Sequence, residues 1–163
     1  MSVNKQRAHI IVLPEDDANR QLANGFHEQV DWSRYRQMQV LPECGGWTHV
    51  IDDFLSDHVA VMNRYPSRLM VLLMDCDGNR ERLQRVRERI PNDLAERVFV
   101  LGALTEPEDL RTDLGFPETV GAAIAQDCRE NTNTALEHRL LRHNARELAR
   151  LRERAVPILF PAI

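Results

Sequence analysis

Six consecutive apolar residues, Leu69 to Met74, run straight into Asp75, Cys76, Asp77, Gly78 and Asn79, and this stretch limits the fold more than any other. An apolar run of that length with polar neighbours on both sides suits a strand covered on both faces, the usual condition of a parallel sheet. Aspartate is disfavoured in strands, so two of them at the end of the run mark the point where the chain leaves the sheet. Residues i and i+2 of an extended segment point the same way, with Cα atoms about 6–7 Å apart, so Asp75 and Asp77 can reach one cation. A turn followed by a helix cap would account for Asp77 and Gly78 but not for Asp75.

The remaining patterns arrange themselves around that strand. Ala8–Leu13 and Arg97–Leu101 are short apolar segments, and Met38 and Val40 alternate with polar neighbours in Arg36–Leu41. Between them, helices are predicted from Ala18 to about Gln29, with Asp16 or Asp17 as N-cap, from Thr48 to about Arg64, and from Arg80 to Ile90. The order β-α-β-α-β-α-β implies an α/β fold: a parallel sheet of about four strands flanked by helices. A short helix over Thr105–Gly115, another from Glu118 to about Cys128 and a long one over Thr134–Arg154 are then expected. The apolar tail Val156–Phe160 is expected to dock on the body. With 163 residues the chain is read as one domain, a core at about 8–115 and a helical C-terminal extension at about 116–163.

Composition narrows the function. Three cysteines, Cys44, Cys76 and Cys128, without a Cys-x-x-Cys pair, indicate neither a disulfide framework nor a zinc ribbon. A net charge of −4 argues against a non-specific nucleic-acid clamp, though not against an acidic site that needs a cation. The apolar runs are too short for a membrane span, and the polar start lacks the organisation of a signal peptide, so a cytoplasmic address is expected.

In open parallel sheets ligands bind beyond the carboxyl ends of the strands. That rule gathers Glu15, after the first strand, with Asp75 and Asp77, after the third, and Glu106 and Glu108, after the fourth. Crowded carboxylates repel one another unless a cation neutralises them, and oxygen-only donors favour Mg2+, Mn2+ or Ca2+. The order strand-Glu15-helix, strand-Asp75-x-Asp77-Gly78, strand-Glu106-Pro107-Glu108-Asp109 resembles the Toprim domain of topoisomerases, primases and OLD-family nucleases. The resemblance covers about residues 8–115. It implies a divalent-metal-dependent phosphodiester or phosphoryl-transfer enzyme, most simply a small nuclease using Mg2+ (or Mn2+). In that reading Asp75 and Asp77 hold the metal, Glu106 and Glu108 match the further Glu-x-Glu element of the OLD-like branch, and Glu15 is general acid or base. Asp16 stands where the family usually has glycine, which leaves Asp16 and Asp17 as alternatives to Glu15. The resemblance also admits a binding or regulatory module that acts with a partner ATPase, since the chain has no Gly-x-x-x-x-Gly-Lys motif of its own. A response-regulator receiver is disfavoured because it needs a late lysine, and Lys5 is the only lysine in the chain.

One basic cluster stands out late in the chain. Arg139, Arg142 and His143 could form a lip for a nucleic-acid backbone beside the acidic site. The competing reading is a solvated helix face with intrahelical pairs such as Glu147 with Arg150.

Overall fold

A computed structural model of the chain describes all residues except Met1, Asp77, Arg80, 103–111, Leu140 and Ile163. Four strands, β1 (His9–Pro14), β2 (Met38–Val40), β3 (Arg68–Leu73) and β4 (Val98–Leu101), form one all-parallel sheet in the order β2-β1-β3-β4. β1 and β3 are paired along their whole length, from His9 opposite Arg68 to Pro14 opposite Leu73. The helices are α1 (Asp17–His27), α2 (Trp47–Asp53), α3 (Val59–Arg64), α4 (Glu81–Glu88), α5 (Pro117–Glu130) and α6 (Ala145–Leu159). The expected α/β fold is therefore present.

Strand side chains alternate between two buried layers, as the pleat requires. Ile11, Leu13, Met70, Leu72, Val98 and Val100 pack with Val50, Phe54, Met62, Leu83 and Val86, so α2, α3 and α4 cover one face. Ile10, Val12, Leu69, Val71, Phe99 and Leu101 pack with Ala23, Ala125, Leu148 and Leu159, so α1, α5 and α6 cover the other. The apolar run at 69–74 is continuous because both of its faces are covered. α1 and α5 approach closely where Gly121 meets the backbone of α1: a Cβ at Gly121 would lie 1.9 Å from the Leu22 carbonyl oxygen.

Three element boundaries differ from those expected. β2 is shorter than Arg36–Leu41 because Trp32–Gln37 closes into a 3₁₀ turn, with the Gln37 amide donating to the Ala8 carbonyl at 3.4 Å. The expected helix over 48–64 contains a π turn, Phe54–His58, where the Val59 N–H reaches back to the Phe54 carbonyl. The segment expected as one helix over 134–154 instead runs through turns and a 3₁₀ turn, Arg142–Asn144, before α6 begins at Ala145. The Asn144 amide takes the Leu141 carbonyl at 3.0 Å and also bonds Gly102, which pins the chain where a continuous helix would pass. α6 in turn runs on to Leu159, so the supposed tail is its last turn, and Phe160 packs edge-on against Phe26.

Candidate functional site

The strand order places a switch point between β1 and β3: from β1 the chain winds outward to β2, and from β3 it winds the other way to β4. In sheets of this kind the crevice beyond the carboxyl ends of the two central strands is where ligands bind. Glu15 and Asp75 occupy that place.

Glu15 directly follows β1, and its N–H still donates to the Leu73 carbonyl at 2.8 Å, so its position is fixed by the sheet ladder. Its Oε2 accepts the Asp75 N–H at 2.7 Å, and the N–H of Trp47, the first residue of α2, also bonds the carboxylate. Burial raises the Glu15 pKa; the Asp16 charge acts in the same direction, while the Asp75 N–H and Arg82 oppose it. Arg82 lies over the Trp47 ring at 5.4 Å.

Asp16 is the N-cap of α1, with extended backbone and its Oδ1 accepting the Asn19 N–H at 2.9 Å. The same oxygen takes the Asn19 side-chain amide at 2.9 Å, and that amide also donates to Asp75 Oδ1 at 3.2 Å. Asn19 is 2% exposed and Asp75 is 6% exposed. Asp75 shares a further hydrogen bond with the Asp16 carboxyl. Burial, followed by the Asp16 charge, pushes the Asp75 pKa up to about 8. Asp75 therefore holds its proton more tightly than a free aspartate and can exchange it close to neutral pH, as acid–base chemistry requires.

The far end of the chain reaches the same edge. His143 Nε2 lies 3.8 Å from the Cys76 sulfur. Asn144 is buried and clamps Gly102, just past β4, by accepting its N–H at 3.1 Å and donating to its carbonyl at 2.9 Å. Gly102 has to be glycine there, because a Cβ would lie 2.0 Å from the Met74 carbonyl oxygen.

Of the residues singled out in the sequence, the fold brings Glu15, Asp75 and His143 to one edge. Arg139 is exposed and lies 4.0 Å from Asp113, and Arg142 is exposed on its 3₁₀ turn. Neither stands on a long helix. Asp17, an alternative to Glu15, is exposed and ion-paired with Arg20, away from the pair. Asp77, Glu106 and Glu108 lie outside the described residues. Among the described residues no three histidine, cysteine, aspartate or glutamate side chains form a group able to hold a metal ion. Asn19 and Asn144 were not anticipated. The capping role of Asp16 was readable from its position, but an asparagine three residues into a helix carries no signal that it turns inward.

No family model, curated protein or solved structure matches the chain.

Proposed function

We propose that the chain is a divalent-cation-dependent phosphoryl- or phosphodiester-transfer enzyme on a Toprim-like core, acting as a small nuclease. The observation that carries the reading is the meeting of Glu15 and Asp75 at the switch point of the sheet. The donor chemistry fits a hard cation: Glu15, Asp16 and Asp75 offer only oxygen, and the raised pKa values of Glu15 and Asp75 mark a site short of positive charge. Asp75 would hold Mg2+ or Mn2+ together with Asp77, and Glu106 or Glu108 would complete the set. Such an ion supplies neutralisation of phosphoryl charge and a more acidic bound water. Glu15, fixed by the Asp75 N–H and holding its proton more tightly than a free glutamate, is placed to exchange a proton with substrate. The Asn19 amide, donating to Asp75 Oδ1 at 3.2 Å, would orient that carboxyl. The test is divalent-dependent cleavage of a labelled oligonucleotide, lost in Asp75→Asn; cleavage that persists in that variant refutes the assignment.

A second reading has its own support. Asp75 is already closed off by Asn19 and Asp16 within the fold, as suits a binding or regulatory module with a weak site that works beside a partner ATPase. Proton retention by the pair in millimolar Mn2+ would favour this reading.

A further inference from the structure

The edge of the sheet opposite the acidic cluster has a different character. β1 is six residues long, so the two edges are about 20 Å apart at 3.3 Å per residue. At the amino edge, the Asn4 N–H donates to the Arg36 carbonyl at 2.7 Å and the His9 N–H to the Ser67 carbonyl at 3.3 Å. These bonds bring residues 4–7, the 3₁₀ turn Trp32–Gln37 and the end of α3 together. In a 3₁₀ helix, residues three apart eclipse one another. Trp32 and Tyr35 therefore share a face, exposed Ser33 and Arg36 share the next, and half-buried Arg34 shares the third with the buried Gln37. Trp32 is 90% exposed, an unusual state for the largest apolar side chain. Tyr35 lies flat on His27, with ring centroids 4.0 Å apart at 14°.

Cations lie along the same edge, where the Lys5 ammonium sits 5.6 Å from the Tyr65 ring. Arg68 and Arg97 are committed internally, the first to His9 at 2.9 Å and the second to the carbonyls of Met62, Tyr65 and Arg68. Lys5, Arg7, Arg34, Arg36 and Arg64 have no carboxylate within ion-pair distance among the described residues. Asp31, next to Trp32, pairs with Arg129 at 3.4 Å, and Glu28 acts on His27, the ring stacked on Tyr35. A molecule of net charge −4 thus carries an uncompensated cationic patch beside a solvent-facing indole. Screening over about 10 Å at 0.1 M salt lets the patch act locally despite the overall charge.

We propose that this amino edge docks single-stranded nucleic acid, with bases stacked on Trp32 and phosphates met by Arg36, Arg7 and Lys5. Flat aromatic faces interleaved with unpaired cations are what base stacking along a phosphate backbone requires. An acidic peptide would use the charges but leave the indole face idle, and a duplex hides its base faces. The inference does not depend on the acidic cluster being catalytic.

The test is fluorescence anisotropy with the full chain in EDTA, using fluorescein-labelled 15-residue oligothymidylate and the corresponding duplex, at 50 and 150 mM NaCl. Poly-glutamate serves as competitor. The single strand is expected to bind more tightly than the duplex and to resist poly-glutamate. Trp32→Ala, at an exposed position that leaves the fold intact, is expected to weaken binding about tenfold. Arg7→Gln with Arg36→Gln is expected to flatten the salt dependence by about 0.7 for each charge removed. Absence of binding at 50 mM salt, equal binding of duplex, full displacement by poly-glutamate, or an unchanged affinity in Trp32→Ala would each overturn the proposal.

Discussion

Replacing Asp75 by asparagine isolates the electrostatics of the acidic pair. The new amide keeps the shape of a protonated carboxyl: its oxygen can still accept from Asn19 and its NH2 can donate to Asp16, while the backbone N–H to Glu15 is untouched. The folded chain holds the Asp75 proton up to about pH 8, whereas the unfolded chain releases it near 3.8. The folded state therefore binds the proton more tightly, and this contribution to stability is complete below about pH 4 and lost as pH rises to about 8. Between pH 5 and pH 9 the loss has a ceiling of about 4 kcal/mol at 1.36 kcal/mol per pKa unit. Relaxation of the protein and solvent around the charge lowers this ceiling, and about 2 kcal/mol is expected. Asp75→Asn removes the titrating group, so its stability relative to the unaltered chain should rise by about that amount from pH 5 to pH 9. Urea unfolding at the two pH values measures it directly, and the matching melting-temperature gain is about 4–8 °C for a domain of this size. An Asp75→Asn chain whose stability tracked that of the unaltered chain at both pH values would refute the raised Asp75 pKa.

Asp127, buried at the end of α5, accepts from the Thr132 hydroxyl and from the N–H groups of Thr134, Ala135 and Leu136. Asp127→Ala should cost about 2–4 kcal/mol in urea unfolding, since three backbone donors lose their acceptor. Burial alone would raise the Asp127 pKa, but these bonds together hold it below the usual value. Its contribution is present above about pH 4 and lost as pH falls through the lowered value, so the variant should show a shallower acid limb. Gly121→Ala should lower the melting temperature by several degrees, because the added carbon meets the Leu22 carbonyl and the Phe26 nitrogen, backbone atoms of α1 that cannot move independently.

The sheet was legible because burial on both faces leaves a continuous apolar run, and Leu69–Met74 shows it plainly. β2 was over-extended because alternation at Met38 and Val40 says nothing about the 3₁₀ turn that ends at Gln37. The C-terminal region was misread for a related reason. The leucines of 134–154 have helical spacing, but the break at Arg142–Asn144 comes from Asn144 binding Gly102, forty-two residues away. At the site, the carboxyl-edge rule brought Glu15 and Asp75 together from sequence alone. It could not reveal that Asp16, read as a cap, also pairs with Asp75, because that bond arises only when α1 lies across the end of β3. The aromatic and cationic edge was missed altogether, because nothing in the sequence around Trp32 marks the side chain as 90% exposed.

Calorimetric titration of Mn2+ at pH 7 into the unaltered chain and into Asp75→Asn bears most directly on the divalent-cation site. The account predicts one ion bound by the unaltered chain, with proton release as the carboxyl pair gives up its hydrogen, and loss of that binding in the variant. Absence of binding, or binding that Asp75→Asn leaves unchanged, would contradict it.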